Sequence, residues 1–387
     1  MGQVLNNDRS TEDQFDFLLL AVDFVVNNNG YVDKHIIYLA EQLKLKGYKV
    51  AILMLPTAGI AFLNILWHKR SISFKHYLVH MTYKLLFFNR LTFLTLFRTL
   101  GKKYNADWKS HLSVEIYFSK IKLLKKTKRI VFNSTDVALF LRNYRYKSDN
   151  SYYIIYHNHE NDFPKTAQMI RDLYNYPFRK VVTGDEMLDK FDLDRACKMT
   201  PAIDPTIISA SEDYKKIPNT VLIPLRNGGS GKGAVFAVEA IKKLLDKNDK
   251  IMVYTFGDYP SVYVHPRCVN FGVVSNDQLK KLYAQSEIFV SPSIEDGVPG
   301  PALEAMGNGC AVICTNVSGA REIITDDFNG IIIPSGDSNV MADKIAELIK
   351  DKERIEKYRK NSKSVQRKFS PENMADTFLE AIRFYES

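Results

Sequence analysis

The chain has 387 residues, 45% hydrophobic and 25% charged, with a formal net charge of +9. That balance excludes broad disorder and leaves room for two domains, each with its own core. The polar start Met1–Gln14 lacks the basic flank and apolar core of a signal peptide, no run of about 18 apolar residues reads as a membrane span, and Cys197, Cys268, Cys310 and Cys314 are not spaced as metal ligands, which points to a reducing cytosol.

In chain order, Phe15 to Val26 reads as a strand, Asn27 to Gly30 as a turn, and Asp33 to Lys46 as a helix with Ile36, Ile37, Leu39, Ala40 and Leu43 at helical spacing. Gly47 ends it before a strand from Val50. Residues 61–130 then carry fifteen Lys or Arg against two acids, interleaved with aromatic residues such as Trp67, Phe87, Phe88 and Trp108. Such a segment suits an anionic membrane or an anionic glycan; a helical pair with one packed and one solvated basic side accounts for it equally. Nucleic acid is not expected, for want of any recognised module.

His157-Asn-His159-Glu160-Asn-Asp162 follows. Two histidines on one side of an extended segment can bind a metal, but no further ligands announce themselves, and a structural polar cluster is the other reading. Asp192-Leu-Asp194, between Lys190 and Arg195, reads as a solvated helical face. A polar linker, Ser209 to Asn219, precedes a regular alternation in which Thr220–Leu225, Lys250–Phe256, Val269–Val274, Ile288–Ser291 and Ala311–Thr315 are strands with helices between. The pattern is that of an α/β, parallel, doubly wound sheet with its ligand site at the carboxyl ends of the strands.

Two segments fall at those ends. Arg226-Asn-Gly-Gly-Ser-Gly-Lys232-Gly233 is a glycine-rich turn before an amphipathic helix, which brings backbone N–H groups and cations onto phosphate; a Walker A loop does not fit, since position 226 is Arg and 233 is Gly. In the second segment Gly297, Pro299 and Gly300 make a bend of little bulk, and Pro301 suits the first turn of a helix whose N-terminal dipole attracts an anion. Glu304, one turn in, offers acceptor oxygens to a ribose diol, and Asp296 to hydroxyls of a second sugar. Two sugars flanking a diphosphate is the shape of an activated sugar. An ordinary β-α crossover with surface acids is the alternative. Ser370 is expected to cap a final helix through Tyr385.

Asp296, Gly297, Leu303, Glu304, Ala305, Met306 and Gly309 resemble the Glu-x7-Glu signature of the retaining GT-B glycosyltransferases of the GT4 family (glycosyltransferase group 1), with Asp296 where the first Glu is usual. Arg226, Lys232 and Gly233 are similar to the family's Gly-Arg-x4-Lys-Gly, one residue longer. Gly30, Asp33 to His35 and Gly47 fall in register with its opening, with Tyr31 at the second Gly. The likeness covers nearly the whole chain, strongest over 285–337 and weakest over 60–128.

The resemblance implies a GT-B architecture of two Rossmann-like doubly wound domains facing a cleft. An acceptor-binding domain would occupy 1–205, a nucleotide-sugar donor-binding domain 206–370, and the terminal helix, 371–387, would cross back. The implied activity is a retaining, metal-independent transfer of a sugar from a nucleoside-diphosphate sugar to a glycan or lipid-linked acceptor in surface polysaccharide synthesis, with no cofactor besides the donor. His157, Arg226, Lys232 and Asp296 take the implied catalytic roles; Gly30, Gly272, Val273, Gly297, Gly300 and Glu304 hold the donor; His159, Glu160 and Asp162 are acceptor-side candidates. The implied setting is cytoplasmic, with 61–130 available for peripheral contact at the inner membrane face. The departures at Tyr31, Asp296 and the lengthened loop also suit a catalytically inactive partner subunit or a nucleotide-binding interaction protein.

Overall fold

The computed structural model describes residues 15–23, 34–56, 115–118, 121–143, 146, 149–156, 167–190, 195–208, 215–227, 231–260 and 263–387. The chain divides into two compact units, Met1–Ile154 with Glu160–Lys180, and Ile155–His159 with Val181–Ser387.

The first unit is built from β1 (Phe15–Asp23), α1 (Lys34–Leu45), β2 (Val50–Pro56), β3 (Glu115–Phe118), β4 (Thr127–Phe132), α2 (Thr135–Asn143), β5 (Ser151–Ile155), α3 (Ala167–Asn175) and the start of β6 (Arg179–Val182). β1 runs parallel to β2 on one side and to β4 on the other. Phe17 to Leu20 are fully buried, as in a strand covered on both faces. In α1, Ile36, Leu39, Ala40 and Leu43 form the buried stripe, and Gly47, at φ 92°, ends the helix in a conformation that suits glycine.

The first sheet has the strand order β3-β2-β1-β4-β5-β6-β7, where β7 is Ala196–Lys198. α4 (Asp185–Lys190) and β7 belong to the second unit, in which the terminal helix packs on β7: the Thr200 N–H donates to Thr377 Oγ1 at 3.0 Å and Tyr385 Oη to the Arg195 carbonyl at 3.0 Å. The boundary expected at residue 205 falls after this strand, whereas the compact units part within β6.

The sheet of the second unit has six strands in the order β10-β9-β8-β11-β12-β13, all paired in parallel. These are β8 (Ile217–Pro224), β9 (Met252–Phe256), β10 (Cys268–Asn270), β11 (Ser286–Ser291), β12 (Ala311–Thr315) and β13 (Ile331–Ile333). The helices are α5 (Ala234–Lys247), α6 (Asn276–Gln285), α7 (Gly300–Gly307), α8 (Ala320–Ile323), α9 (Ser338–Leu348), α10 (Lys352–Asn361), α11 (Lys363–Lys368) and α12 (Pro371–Glu386). Side-chain alternation divides the core in two. Val221, Ile223, Ile288, Val290, Ala311 and Ile313 meet α5 and α9 on one face, while Leu222, Phe289, Val312 and Cys314 meet α6, α7 and α8 on the other. The unit is therefore an α/β doubly wound sheet, the class read from the sequence.

Three local details complete these elements. The strand expected over Val269–Val274 pairs only over Cys268–Asn270, because Gly272 at φ 63° turns the backbone away. Asp337 is the N-cap of α9 and accepts from the N–H groups of Asn339 and Val340. Ser370 caps α12, accepting from the Asn373 N–H at 3.1 Å.

Candidate functional site

The carboxyl ends of β8 and β11 lie side by side, so the segments after them converge. Arg226, Lys232, Ser291, Ser293, Asp296 and Pro301 line one depression there. The Lys232 segment is tied down by backbone: the N–H groups of Ile294 and Glu295 both donate to the Gly231 carbonyl, at 2.8 and 3.1 Å. Gly233 has φ 65°, and an ideal Cβ on it would lie 1.8 Å from the Pro292 carbonyl oxygen. The Lys-Gly pair thus has a steric meaning. Only glycine lets the start of α5 approach the β11 turn closely enough to place Lys232 beside Asp296.

Asp296 Oδ2 accepts from Lys232 Nζ and from Ser293 Oγ, each at 3.2 Å, while its own carbonyl accepts from Ser318 Oγ at 2.7 Å. Behind it, Gly319 brings a second loop against the turn: a Cβ there would meet the Gly297 carbonyl oxygen at 2.2 Å. On the β8 side, the Asn227 N–H donates to Asp258 Oδ1 at 2.7 Å and the Tyr259 N–H to the Leu225 carbonyl at 3.1 Å, fixing the chain on either side of Arg226.

α7 begins at Gly300 with Pro301 in its first turn, where a missing N–H leaves no unpaired donor. Glu304 is half-buried one turn into the helix, and its Oε2 accepts from Tyr283 Oη at 3.0 Å. Burial, followed by the negative charge of Glu304 and their hydrogen bond, pushes the Tyr283 hydroxyl well above its ordinary pKa, with Arg226 opposing the shift. Tyr283 therefore stays a proton donor. Gly272 accepts from the Gly257 N–H at 2.7 Å, and Phe271 and Val273 stand exposed beyond the end of β10.

Of the residues singled out in the sequence, Arg226, Lys232 and Asp296 share one depression, Gly297, Gly300 and Glu304 belong to the turn and helix that wall it, and Gly272 and Val273 lie past a neighbouring strand end. Gly30, His157, His159, Glu160 and Asp162 lie outside the described residues, as do Tyr31, Asp192, Asp194 and the 61–114 part of the basic segment. Among the described residues no three His, Cys, Asp or Glu side chains converge as a metal site would require, and no helix is long and apolar enough to cross a membrane. Sequence reasoning missed Tyr283, Ser293, Ser318 and Gly319. Ser293 stands inside the motif stretch and was open to reading; Tyr283 and Gly319 act through contacts that no local pattern carries.

Residues 216–365 match the family "Glycosyl transferases group 1". Over 110 residues the chain is 34% identical to an uncharacterized glycosyltransferase of Methanocaldococcus jannaschii, a match covering 26% of this chain and 28% of that one. Over 237 residues it is 25% identical to the lipopolysaccharide 1,2-N-acetylglucosaminetransferase of Salmonella typhimurium, covering 53% and 62%. The chain thus matches less than two thirds of the length of either curated relative. The Anabaena protein Alr3699/HepE, solved in complex with UDP and glucose, superposes with a TM-score of 0.63 over 95% of this chain and 99% of its own at 13% identity, a likeness of fold. The fold is that of the GT-B structures, and the match to the glycosyl transferases group 1 family falls within the second unit.

Proposed function

We propose that this chain is a retaining glycosyltransferase of the GT4 class that moves a sugar from a nucleoside-diphosphate sugar to a glycan or lipid-linked acceptor in surface polysaccharide synthesis, without a metal ion. The observation that carries the reading is the convergence of Arg226, Lys232, Asp296 and the start of α7 on one depression at the carboxyl ends of β8 and β11. Glycosyl transfer from such a donor breaks the bond between the anomeric carbon and a phosphate oxygen, and negative charge grows on the diphosphate as it leaves. Two cations and a helix N-terminus answer that charge directly, in the role a divalent ion fills elsewhere.

Glu304 would accept from the ribose hydroxyls, and Asp296 from hydroxyls of the sugar being moved. The leaving phosphate, on the same face as the incoming hydroxyl, takes its proton, which retains the anomeric configuration. His157 is assigned to the donor sugar by resemblance. The Salmonella relative is named for lipopolysaccharide, which supports an acceptor of the surface-polysaccharide kind.

The test is a thermal-shift screen with UDP, GDP, dTDP and CDP, each with and without magnesium. Saturation near a hundred times Kd stabilises a native protein by about 2.7 kcal/mol. Stabilisation by one diphosphate, unchanged by chelator, is the expected result and names the donor base. No shift with any of the four would favour an inactive partner subunit instead.

A further inference from the structure

We infer that Tyr283 is the positioning residue for Glu304, and that its hydroxyl sets how strongly the site distinguishes a ribose from a ribose lacking its hydroxyls. The inference rests on the reading above, in which Glu304 meets the ribose of a nucleoside diphosphate.

Tyr283 is fully buried and held at both ends. Its carbonyl accepts from Lys216 Nζ at 2.8 Å and from Cys310 Sγ at 3.1 Å. Its ring lies edge-on to both Phe256 and Phe289, with centroids 6.3 and 5.6 Å away. A side chain so constrained has one place to put its hydroxyl, and that place is 3.0 Å from Glu304 Oε2. The bond is of the strong kind, a neutral donor to a carboxylate, and the hydroxyl faces no water that could replace it.

The consequence is orientation. A glutamate side chain has several rotamers, and a bidentate contact with a cis-diol requires one of them. Anchoring one carboxylate oxygen to a rigid phenol selects the carboxylate plane before the ligand arrives, so less freedom is lost on binding. The effect falls on the ribose hydroxyls and not on the diphosphate, whose contacts belong to Arg226, Lys232 and α7.

The experiment compares affinities of the full chain for UDP and 2′,3′-dideoxy-UDP, and for the corresponding guanosine pair, by calorimetry. Wild type is expected to prefer the ribose form, and Glu304→Ala to abolish the preference. Tyr283→Phe, which removes one oxygen and keeps the ring between Phe256 and Phe289, is expected to lower the ribose-to-dideoxy ratio by about tenfold, with little change for the dideoxy probe, as loss of a charge-assisted hydrogen bond would give. A lowered thermal midpoint with both probes weakened alike would make Tyr283 a packing residue and overturn the inference. So would an unchanged ratio in Tyr283→Phe beside a lost one in Glu304→Ala. A ratio that survives Glu304→Ala would instead overturn the ribose role of Glu304, and wild type that binds none of UDP, GDP, dTDP and CDP would overturn the donor site itself.

Discussion

At the amino ends of β8 and β11, Lys216 is half-buried with its Nζ donating to the carbonyls of Tyr283, Ser286 and Asn308 at 2.8, 2.8 and 2.9 Å; at the carboxyl ends of the same strands, the Lys232 side chain is 30% exposed beside a single carboxylate. The same division holds for the acids. Glu287, at the amino end, is occupied by Lys352 at 2.7 Å and by the Asn219 N–H at 2.8 Å, whereas Asp296, at the carboxyl end, shares one oxygen between Lys232 and Ser293. One edge of the sheet uses charge to satisfy orphan carbonyls at the ends of α6 and α7, and is finished when it folds. The other holds cations in a water-accessible place, where an anion can take them over. Charged residues of one type therefore separate into structural and functional sets by which end of the strand they occupy.

The sharpest way to test that comparison is Lys232→Ala. If the carboxyl edge is the chemical one, turnover falls by about 10²–10³-fold, the usual cost of a lost donor to a developing oxyanion, while the thermal midpoint hardly moves, because a partly exposed ion pair contributes little to stability. Near-normal turnover would erase the distinction between the two edges.

Lys216→Met is the mirror experiment and should give the opposite pattern. Burial lowers the Lys216 pKa, so the ammonium is held there at a cost that its three carbonyl partners repay; removing it strands those carbonyls. A loss of about 2–4 kcal/mol is expected, read as a fall of roughly 5–10 °C in Tm for a unit of this size, with nucleotide discrimination retained by the protein that remains folded.

A smaller effect should come from Asp327, far from either edge in function. Hydrogen bonds from Tyr358 and Arg354 hold its pKa down at about 2, and its backbone has φ 55°. A carboxylate depressed in the folded state contributes stability above its unfolded pKa, about 4, and loses it as the pH falls toward 2. The Tm gap between wild type and Asp327→Asn should therefore be present at neutral pH and close between about pH 4 and pH 2; Asn tolerates the left-handed backbone, so the comparison isolates charge. A gap that does not depend on pH would assign the effect to hydrogen bonding alone.

Much of the second unit was legible because its signals are local. Apolar runs of strand length, glycine-rich turns after them and acids at fixed spacing placed Arg226, Lys232, Asp296 and Glu304 on the right sides of their strands. What was not legible depends on distance along the chain. Lys216 reads as part of a polar linker until α6 and α7 bring their carbonyls to it from 67 to 92 residues away, and Tyr283 reads as one more helical aromatic until Glu304 comes within reach. The end of β10 escaped for a different reason: Phe271, Val273 and Val274 have strand-like side chains, and only the backbone angle at Gly272 overrules them.

The close approaches at Gly233 and Gly319 also constrain how the gene can vary. Every single-base change in a glycine codon that alters the residue gives either a stop or a residue with a Cβ, and a Cβ at these two positions would fall 1.8 and 2.2 Å from a carbonyl oxygen of the β11 turn. No single-nucleotide step that changes the residue at either position avoids that collision. A saturation library selected for function should retain only glycine at both.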